Sequence, residues 1–313
     1  MQGMRITVFG GAGFLGRYIV KRLAAAGAGV RVACRDPERA LFLKPAGGVG
    51  QIVPVQANLR YPASVRAALD GVDAAINCVG VLVSRGAQSF GAIHAAGART
   101  VATAAAEAGV SNLVHISAIG ADAESSADYA RSKAAGEATM REAFAPVAIL
   151  RPSIVVGPED NFFNRFALLA RIAPALPLVG GGLTRFQPVY VGDVADAAVA
   201  ALDRPGGLFE LGGPKIYTFR QLMELLLAET GRKRLLVPVP FQIMQAKATF
   251  LQFMPGAPIT PDQVELLKYD NVVPEGAAGF AALGIEPKDI ETVIPTYLER
   301  FRVRGRFARQ NPA

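Results

Sequence analysis

Arg5-Ile-Thr-Val-Phe9 reads as a short buried strand, and Gly10-Gly-Ala-Gly13-Phe-Leu-Gly16 follows it without a spacer. An apolar helical pattern runs from Leu15 to about Ala26, and a second strand, Val30-Arg-Val-Ala-Cys34, comes next. Strand, glycine turn, helix and strand in that order specify a parallel βαβ unit whose turn faces a ligand. Gly10 allows the tight turn, Gly13 lets the backbone approach a pyrophosphate, and Gly16 lets the helix pack closely on the sheet. Phe14, Leu15 and Gly16 open the helix, where free N–H groups and the helix dipole favour phosphate charge.

The end of the second strand narrows the nucleotide. A carboxylate there bonds the ribose 2′-hydroxyl of NAD; here Cys34-Arg35 occupies the strand end and Asp36 comes one residue later. A guanidinium suits a 2′-phosphate, so Arg35 favours NADPH or NADP over NAD(H), with Arg17 a second candidate for phosphate contact.

Apolar strands alternate with helices through the first half. Ile52–Val55, Ala74–Asn77, Leu113–Ile116 and Ala148–Leu150 read as strands three to six, with helices around Val65–Leu69, Phe90–Ala108 and Tyr129–Ala143. The alternation predicts an α/β fold, a doubly wound parallel Rossmann sheet with a smaller C-terminal α/β subdomain. Pro158, Pro174, Pro177 and Gly180-Gly-Gly182 break the alternation, while Gln187–Asp193 reads as a further strand leading into a helix at Val194–Leu202. The expected division is residues 1–155 with 187–203 for the nucleotide domain, 156–186 with 204–300 for the smaller one, and 301–313 for a basic tail. Capping boxes at Thr218/Gln221 and Thr260/Gln263 open two helices of the smaller domain.

A net charge of +7 and a pI near 9.6 favour an anionic partner: a phosphate cofactor, an anionic membrane face or an acidic protein. Nucleic acid is disfavoured, because the chain carries no helix-turn-helix, zinc spacing or basic–aromatic array. Two histidines, His94 and His115, without clustered ligands argue against a metal site, and both read as structural. Cys34 and Cys78 fall in predicted core strands and read as buried thiols of a reducing compartment. Met1-Gln-Gly-Met4 carries no signal-peptide pattern, so a cytoplasmic location is expected.

Tyr129-Ala-Arg-Ser-Lys133 places a phenol and an ammonium one helical turn apart on one face, and a neighbouring cation favours the phenolate that acid–base chemistry needs. The glycine turn, Asn58-Leu59 after the third strand, Cys78-Val79-Gly80 after the fourth and Tyr129-x-x-x-Lys133 together resemble the short-chain dehydrogenase/reductase superfamily. Gln187–Val194 and Phe209–Gly213 are similar to its extended and atypical branch. That resemblance implies cofactor contacts at Asn58, Leu59, Val79, Gly80, Ser117, Tyr129 and Lys133. It also gives Tyr129, Lys133 and Ser117 the catalytic positions. Arg151-Pro152-Ser-Ile154 is similar to the segment that lies along the nicotinamide, placing Pro152 and Ile154 at the cofactor; a proline-terminated strand end accounts for it equally.

Gly10–Val20, Ser125–Glu137 and Gly157–Phe166 narrow the resemblance to the NADPH-binding accessory subunit of respiratory complex I in its bacterial form. It implies bound NADPH, complex I subunits as partners, a peripheral place on the cytoplasmic face of the inner membrane, and a structural rather than catalytic role. In the extended enzymes the active hydroxyl usually sits a residue or two beyond Ser117, where this chain has Ala118 and Ile119. The alternative, motivated by the intact Tyr129–Lys133 pair, is a soluble NADP-dependent reductase, dehydrogenase or isomerase.

One apolar stretch falls outside these motifs. Leu235–Pro240 leads into Phe241–Met254, where Lys247 is the only charge. Phe241, Met244, Ala248 and Leu251 form one helical stripe, flanked by Phe250, Phe253 and Met254. The stripe closes the subdomain core or meets a partner or an anionic membrane, the latter together with the arginines between Arg300 and Arg309.

Overall fold

The computed structural model describes residues 1–204, 206–253, 259–303 and 305. The chain divides into two units: residues 1–152, 191–211 and 274–286 form the first, and 153–190, 212–273 and 287–313 the second.

The first unit is built on a parallel sheet of seven strands: β1 (Arg5–Phe9), β2 (Gly29–Cys34), β3 (Ile52–Gln56), β4 (Ala74–Asn77), β5 (Asn112–Ile116), β6 (Val147–Pro152) and β7 (Leu208–Leu211). Their order is β7-β6-β5-β4-β1-β2-β3, the doubly wound arrangement expected from the alternation. The strand order reverses beside β1, which pairs with β2 on one side and β4 on the other. Ligands of such sheets lie beyond the carboxyl ends of the strands at this reversal. Helices α1 (Phe14–Ala25), α2 (Pro62–Leu69), α3 (Gly97–Glu107) and α4 (Asp128–Ala143) join the strands. α1 buries Ile19, Val20 and Leu23, and α3 buries Val101, Ala102 and Ala105. A π-helical turn, Gly91–Ala96, precedes α3 where the sequence reads as one continuous helix from Phe90.

Three expectations are corrected. Leu208–Leu211 belongs to the nucleotide sheet, since it pairs in parallel with β6 from Leu208 opposite Ile149 to Leu211 opposite Pro152. The segment 187–190 falls in the second unit, where Val189–Tyr190 pairs with Val155–Val156, and the helix following it, Val191–Ala200, returns to the first. Cys34 and Cys78 lie outside the strand interiors: Cys34 ends its strand half-buried, and Cys78 lies just beyond β4, where burial pushes its thiol up to about 12.

In the second unit, helices Phe163–Ile172 and Phe219–Thr230 pack around Phe163, Leu222, Leu226, Ile294 and Leu298. A strand at Ala175–Val179 pairs in parallel with Leu235–Val239. Both capping boxes form: Thr218 and Thr260 accept the N–H groups of Gln221 and Gln263, whose side chains bond back to the cap backbones. Two arginines of the basic C-terminal stretch, Arg302 of the expected tail and Arg300 just before it, are packed. Arg300 donates to Pro158 O and Asn164 Oδ1, and Arg302 donates to Glu229 O. Met254, Arg304, Arg306 and Arg309 lie outside the described residues.

Candidate functional site

The glycine turn and the loop after β4 meet at the sheet's reversal point. Gly10 has φ +75°, and a Cβ on it would lie 3.2 Å from Val79 Cγ2 and 3.3 Å from the Cys78 carbonyl carbon. The more severe constraint is Gly16, where a Cβ would stand 2.3 Å from Gly10 O and 2.6 Å from Gly11 Cα. Backbone closes on backbone there, so only glycine fits. Gly13 occupies the N-cap of α1 and supplies no side-chain acceptor, which leaves the first-turn N–H groups without a side-chain cap. Gly13 itself is exposed, with Phe14 and Leu15 half-buried beside it. Bare N–H groups at a helix N-terminus, reached over an exposed glycine, form a cradle that fits the pyrophosphate of a nicotinamide dinucleotide.

Around the second strand's end, Arg35 is exposed and, among the described residues, no hydrogen bond or ion pair holds it. Asp36 is engaged instead: it accepts the Glu38 N–H at 3.2 Å as an N-cap and approaches Arg39. Arg17 lies over the Phe42 ring, 5.1 Å from its centroid, and its Nε donates to Gly13 O at 3.2 Å. Arg17 therefore stands at the mouth of the turn. Asn58 accepts the Arg60 N–H through Oδ1 at 3.1 Å, and Leu59 is buried in the core.

Beneath the loop after β4, Asn77 holds the backbone in place. Its Oδ1 accepts the Val79 N–H at 3.1 Å, while its Nδ2 donates to His115 Nδ1 at 3.2 Å. Burial holds His115 well below the usual histidine range, with Lys133 and His94 adding to the effect, so it stays neutral and accepts that bond. Through that bond His115 props the Asn77 side chain under the loop.

Lys133 is buried and donates to Ile116 O at 3.1 Å, and its Nζ lies 6.0 Å from the Tyr129 ring centroid. Burial lowers its pKa to about 8, against the opposing field of Glu137. Gly80 completes the wall, since a Cβ there would meet Lys133 Nζ at 3.5 Å and His94 Nε2 at 3.6 Å.

His94, read from sequence as an ordinary helix residue, is buried in this wall. Its Nε2 accepts the Val81 N–H at 3.0 Å, so its proton sits on Nδ1 and is donated to Ser132 Oγ at 2.8 Å. Burial, reinforced by Lys133, lowers its pKa to about 3. The ring is stacked with Phe90 and edge-on to Tyr129, with centroids 5.5 Å apart in each case. Tyr129 is thus bracketed by Phe90 and a neutral histidine whose two ring nitrogens are both engaged. Nothing in the spacing of a lone histidine signalled this role.

Ser117 departs most from its expected place. Its hydroxyl is buried and donates to Glu137 Oε1 at 2.6 Å. Glu137, 1% exposed, also receives Arg151 through Nε at 2.7 Å and Nη2 at 2.8 Å. The far side of the Arg151 guanidinium donates to Glu210 at 3.0 Å. The expected active-site hydroxyl is therefore tied into a buried ionic cluster joining β5, α4, β6 and β7, because a buried carboxylate recruits every donor in reach. The spacing of Lys133 and Glu137, one turn apart on one face, was the available signal for Glu137; nothing local pointed to Arg151 and Glu210 as its partners. Pro152 is buried at the end of β6, its carbonyl accepting the Ile119 N–H at 3.0 Å. Ile154 falls in the second unit and packs into its core.

The profile of the NAD dependent epimerase/dehydratase family matches residues 6–212. Over 97% of this chain and 80% of the other, the sequence is 33% identical to the mitochondrial NADH dehydrogenase [ubiquinone] 1 alpha subcomplex subunit 9 of Arabidopsis thaliana. It is also 33% identical to the mitochondrial NADH-ubiquinone oxidoreductase 40 kDa subunit of Neurospora crassa, over 96% of this chain and 80% of that one. A ceramide reductase of Caulobacter vibrioides is 30% identical over 75% of this chain and 73% of its own length. Among solved structures, the UDP-glucose 4-epimerase of Thermus thermophilus in complex with NAD superposes with a TM-score of 0.72 at 22% identity, covering 96% of this chain and 99% of that one.

Proposed function

This chain belongs to the NAD dependent epimerase/dehydratase family, and from that premise we infer that it is an NADP(H)-binding accessory or assembly subunit of a respiratory NADH:quinone oxidoreductase. It sits peripherally on the cytoplasmic face of the membrane and uses its nucleotide structurally. Likeness to complex I subunits over nearly its whole length supports the assignment. The observation that carries the non-catalytic part is the Ser117–Glu137 bond. It withdraws the one hydroxyl left in the strand-end segment, where Ala118 and Ile119 already replace the usual donor. Tyr129 and Lys133 then lack the group that would hold a substrate carbonyl against the phenol. Affinity purification of the tagged full-length chain from native membranes is expected to bring down complex I subunits. Recovery of the free chain alone at every detergent and salt condition would overturn the assignment.

The nucleotide in this reading is NADPH or NADP. Arg35 stands exposed and uncommitted, whereas Asp36, the nearest candidate to bond a ribose 2′-hydroxyl, caps the following helix. Replacing Arg35 with Ala should weaken NADPH binding by about 1.5–3 kcal/mol, the range of a charge-assisted hydrogen bond. NADH affinity should hardly change, and equal losses for both nucleotides in calorimetry would remove Arg35 from the site.

A second reading, a soluble NADP-dependent reductase, is favoured by Lys133 lying against the Tyr129 ring with its pKa lowered to about 8. Turnover of carbonyl substrates, followed by NADPH absorbance and abolished in Tyr129→Phe, would select it. No turnover across the panel leaves the subunit reading in place.

A further inference from the structure

The helix Phe241–Leu251 in the second unit is apolar on two opposite faces, and only one of them is covered. Met244 and Ala248, one turn apart, are buried against Val264, with Phe241 packed beside them. Ile243 and Phe250, seven residues apart and therefore also on one side, point outward at 50% and 79% exposure. Phe253 follows at 82% exposure, and Lys247 lies one turn after Ile243 on that outward side. The strand that feeds the helix repeats the pattern, since Leu235 and Val237, alternate residues of one strand face, are both exposed. A soluble surface rarely gathers outward phenylalanines and aliphatics on one short segment without a partner.

Charge identifies the partner. From Thr230 to Pro261 there is no Asp or Glu, while Arg232, Lys233, Arg234 and Lys247 are all basic. Arg234 Nε donates to Ala170 O at 2.8 Å, which sets this basic run beside the end of the helix Phe163–Ile172. That end carries Arg171 and the exposed Leu168 and Ile172. Arg171 and Arg234 lie close enough to oppose the charge on Arg232. Like charges crowd together where an external anionic surface offsets them. Among the described residues no helix is long and apolar enough to cross a membrane. Exposed aromatic and aliphatic side chains beside unopposed cations are the pattern of a segment that lies in a lipid headgroup layer.

We propose that the outward face of the Phe241–Leu251 helix, with Ile243, Lys247, Phe250 and Phe253, docks on an anionic lipid surface, assisted by the Arg171/Arg232/Arg234 cluster. This surface is separate from the nucleotide site, and its test does not depend on the assignment to an oxidoreductase complex.

The experiment is co-sedimentation of the purified full-length chain with sonicated vesicles of phosphatidylcholine alone or of phosphatidylcholine with about one-third phosphatidylglycerol. Binding to the anionic vesicles is expected, with little to the neutral ones, and it should fall several-fold when salt is raised about tenfold. Ile243→Ser with Phe250→Ser should reduce vesicle partitioning by about tenfold or more, as two large apolar side chains no longer enter the interface. Lys247→Gln should give a smaller, salt-sensitive loss. All three positions point away from the unit's core, so unchanged NADPH binding and thermal unfolding identify variants that remain folded. Leu82→Ser, an exposed apolar residue of the first unit, should partition like wild type. Wild type binding neither vesicle, or the double variant binding as well as wild type, would overturn the proposal. If wild type ignores vesicles while the double variant loses co-purifying protein subunits, the face belongs to a protein partner and the lipid assignment fails.

Discussion

Removing either side of the buried ionic cluster should destabilise the first unit, and the geometry fixes the order of the two effects. Glu137→Ala deletes three short bonds, from Ser117 at 2.6 Å and from Arg151 at 2.7 and 2.8 Å, and a longer one from the half-exposed Arg141 at 3.3 Å. Arg151 nevertheless keeps Glu210 at 3.0 Å, so its charge is not orphaned. Breaking a buried pair costs about 3–5 kcal/mol, and with one partner retained the loss should fall near the lower end, about 3 kcal/mol. Arg151→Met is worse, because it leaves the Glu210 carboxylate without its Arg151 partner and Glu137 with only Ser117 and the longer Arg141 contact at 3.3 Å. Glu210 already has one buried oxygen, Oε2, without a hydrogen-bond partner among the described residues. A loss near 5 kcal/mol is expected at pH 8. The pH dependence then distinguishes this account from simple cavity formation. Burial raises the Glu210 carboxyl above its ordinary value, and Arg151 opposes that rise. A carboxyl with a raised folded-state pKa adds stability that is complete below the unfolded pKa and lost as pH rises through the folded value. Without Arg151 that window moves upward, so the Arg151→Met deficit should shrink as pH falls from 8 towards 5. Urea unfolding followed by far-UV circular dichroism suits a chain with no tryptophan. An Arg151→Met variant milder than Glu137→Ala, or a deficit independent of pH, would refute the reasoning.

Gly16→Ala should lower thermal stability and abolish binding of NADPH and NADH alike, because its Cβ would meet backbone at 2.3 and 2.6 Å and overpacking of that kind costs about 1–3 kcal/mol or more. Gly13→Ala, whose Cβ would touch only Gly10 O at 3.0 Å, should be milder in unfolding, and an equal loss of thermal stability in differential scanning calorimetry would contradict the turn geometry. His94, with its pKa lowered from 6.5 to about 3, should stay neutral in the folded chain while the unfolded chain takes up a proton. Stability should therefore fall as pH drops through the window from about 6.5 to 3, and His94→Asn should flatten that slope; a His94 resonance titrating near 6.5 in the folded protein would rule this out.

The parallel sheet was legible because strand–helix alternation and a glycine turn are local signals, each carried by residues within one βα unit. The unit boundaries were less so. Leu208–Leu211 looks like any short apolar strand, and its place beside β6 is decided by register with Ile149–Pro152, nearly sixty residues away. The same limit separates the two halves of the candidate site. Gly10, Gly13 and Gly16 declare themselves, since a missing Cβ has a local meaning, and Tyr129 and Lys133 share one helix face. Ser117 does not, because whether its hydroxyl faces a substrate or a carboxylate depends on which side chain α4 brings beneath it. That side chain is Glu137, whose attraction for Arg151 is visible only once β5, β6 and β7 are adjacent.

This dependence bears on how a nucleotide-binding subunit and a reductase can share a scaffold. The cradle needs only glycine backbone and a bare helix end, so it survives changes elsewhere in the sheet. Catalysis needs a donor aimed at the substrate beside the phenol, and here the nearest hydroxyl is turned inward by a carboxylate that is itself gripped by one edge of the Arg151 guanidinium and reached by Arg141. Freeing Ser117 would mean giving up its 2.6 Å bond to the buried Glu137 carboxylate, a charge-assisted hydrogen bond worth about 1.5–3 kcal/mol. An equilibrium fraction of the chain with Ser117 available is then about one in ten to one in a hundred, each 1.4 kcal/mol being a factor of ten. A nucleotide cradle of this kind can therefore persist in a sheet whose strand-end hydroxyl is engaged by a buried carboxylate, since the two depend on different residues.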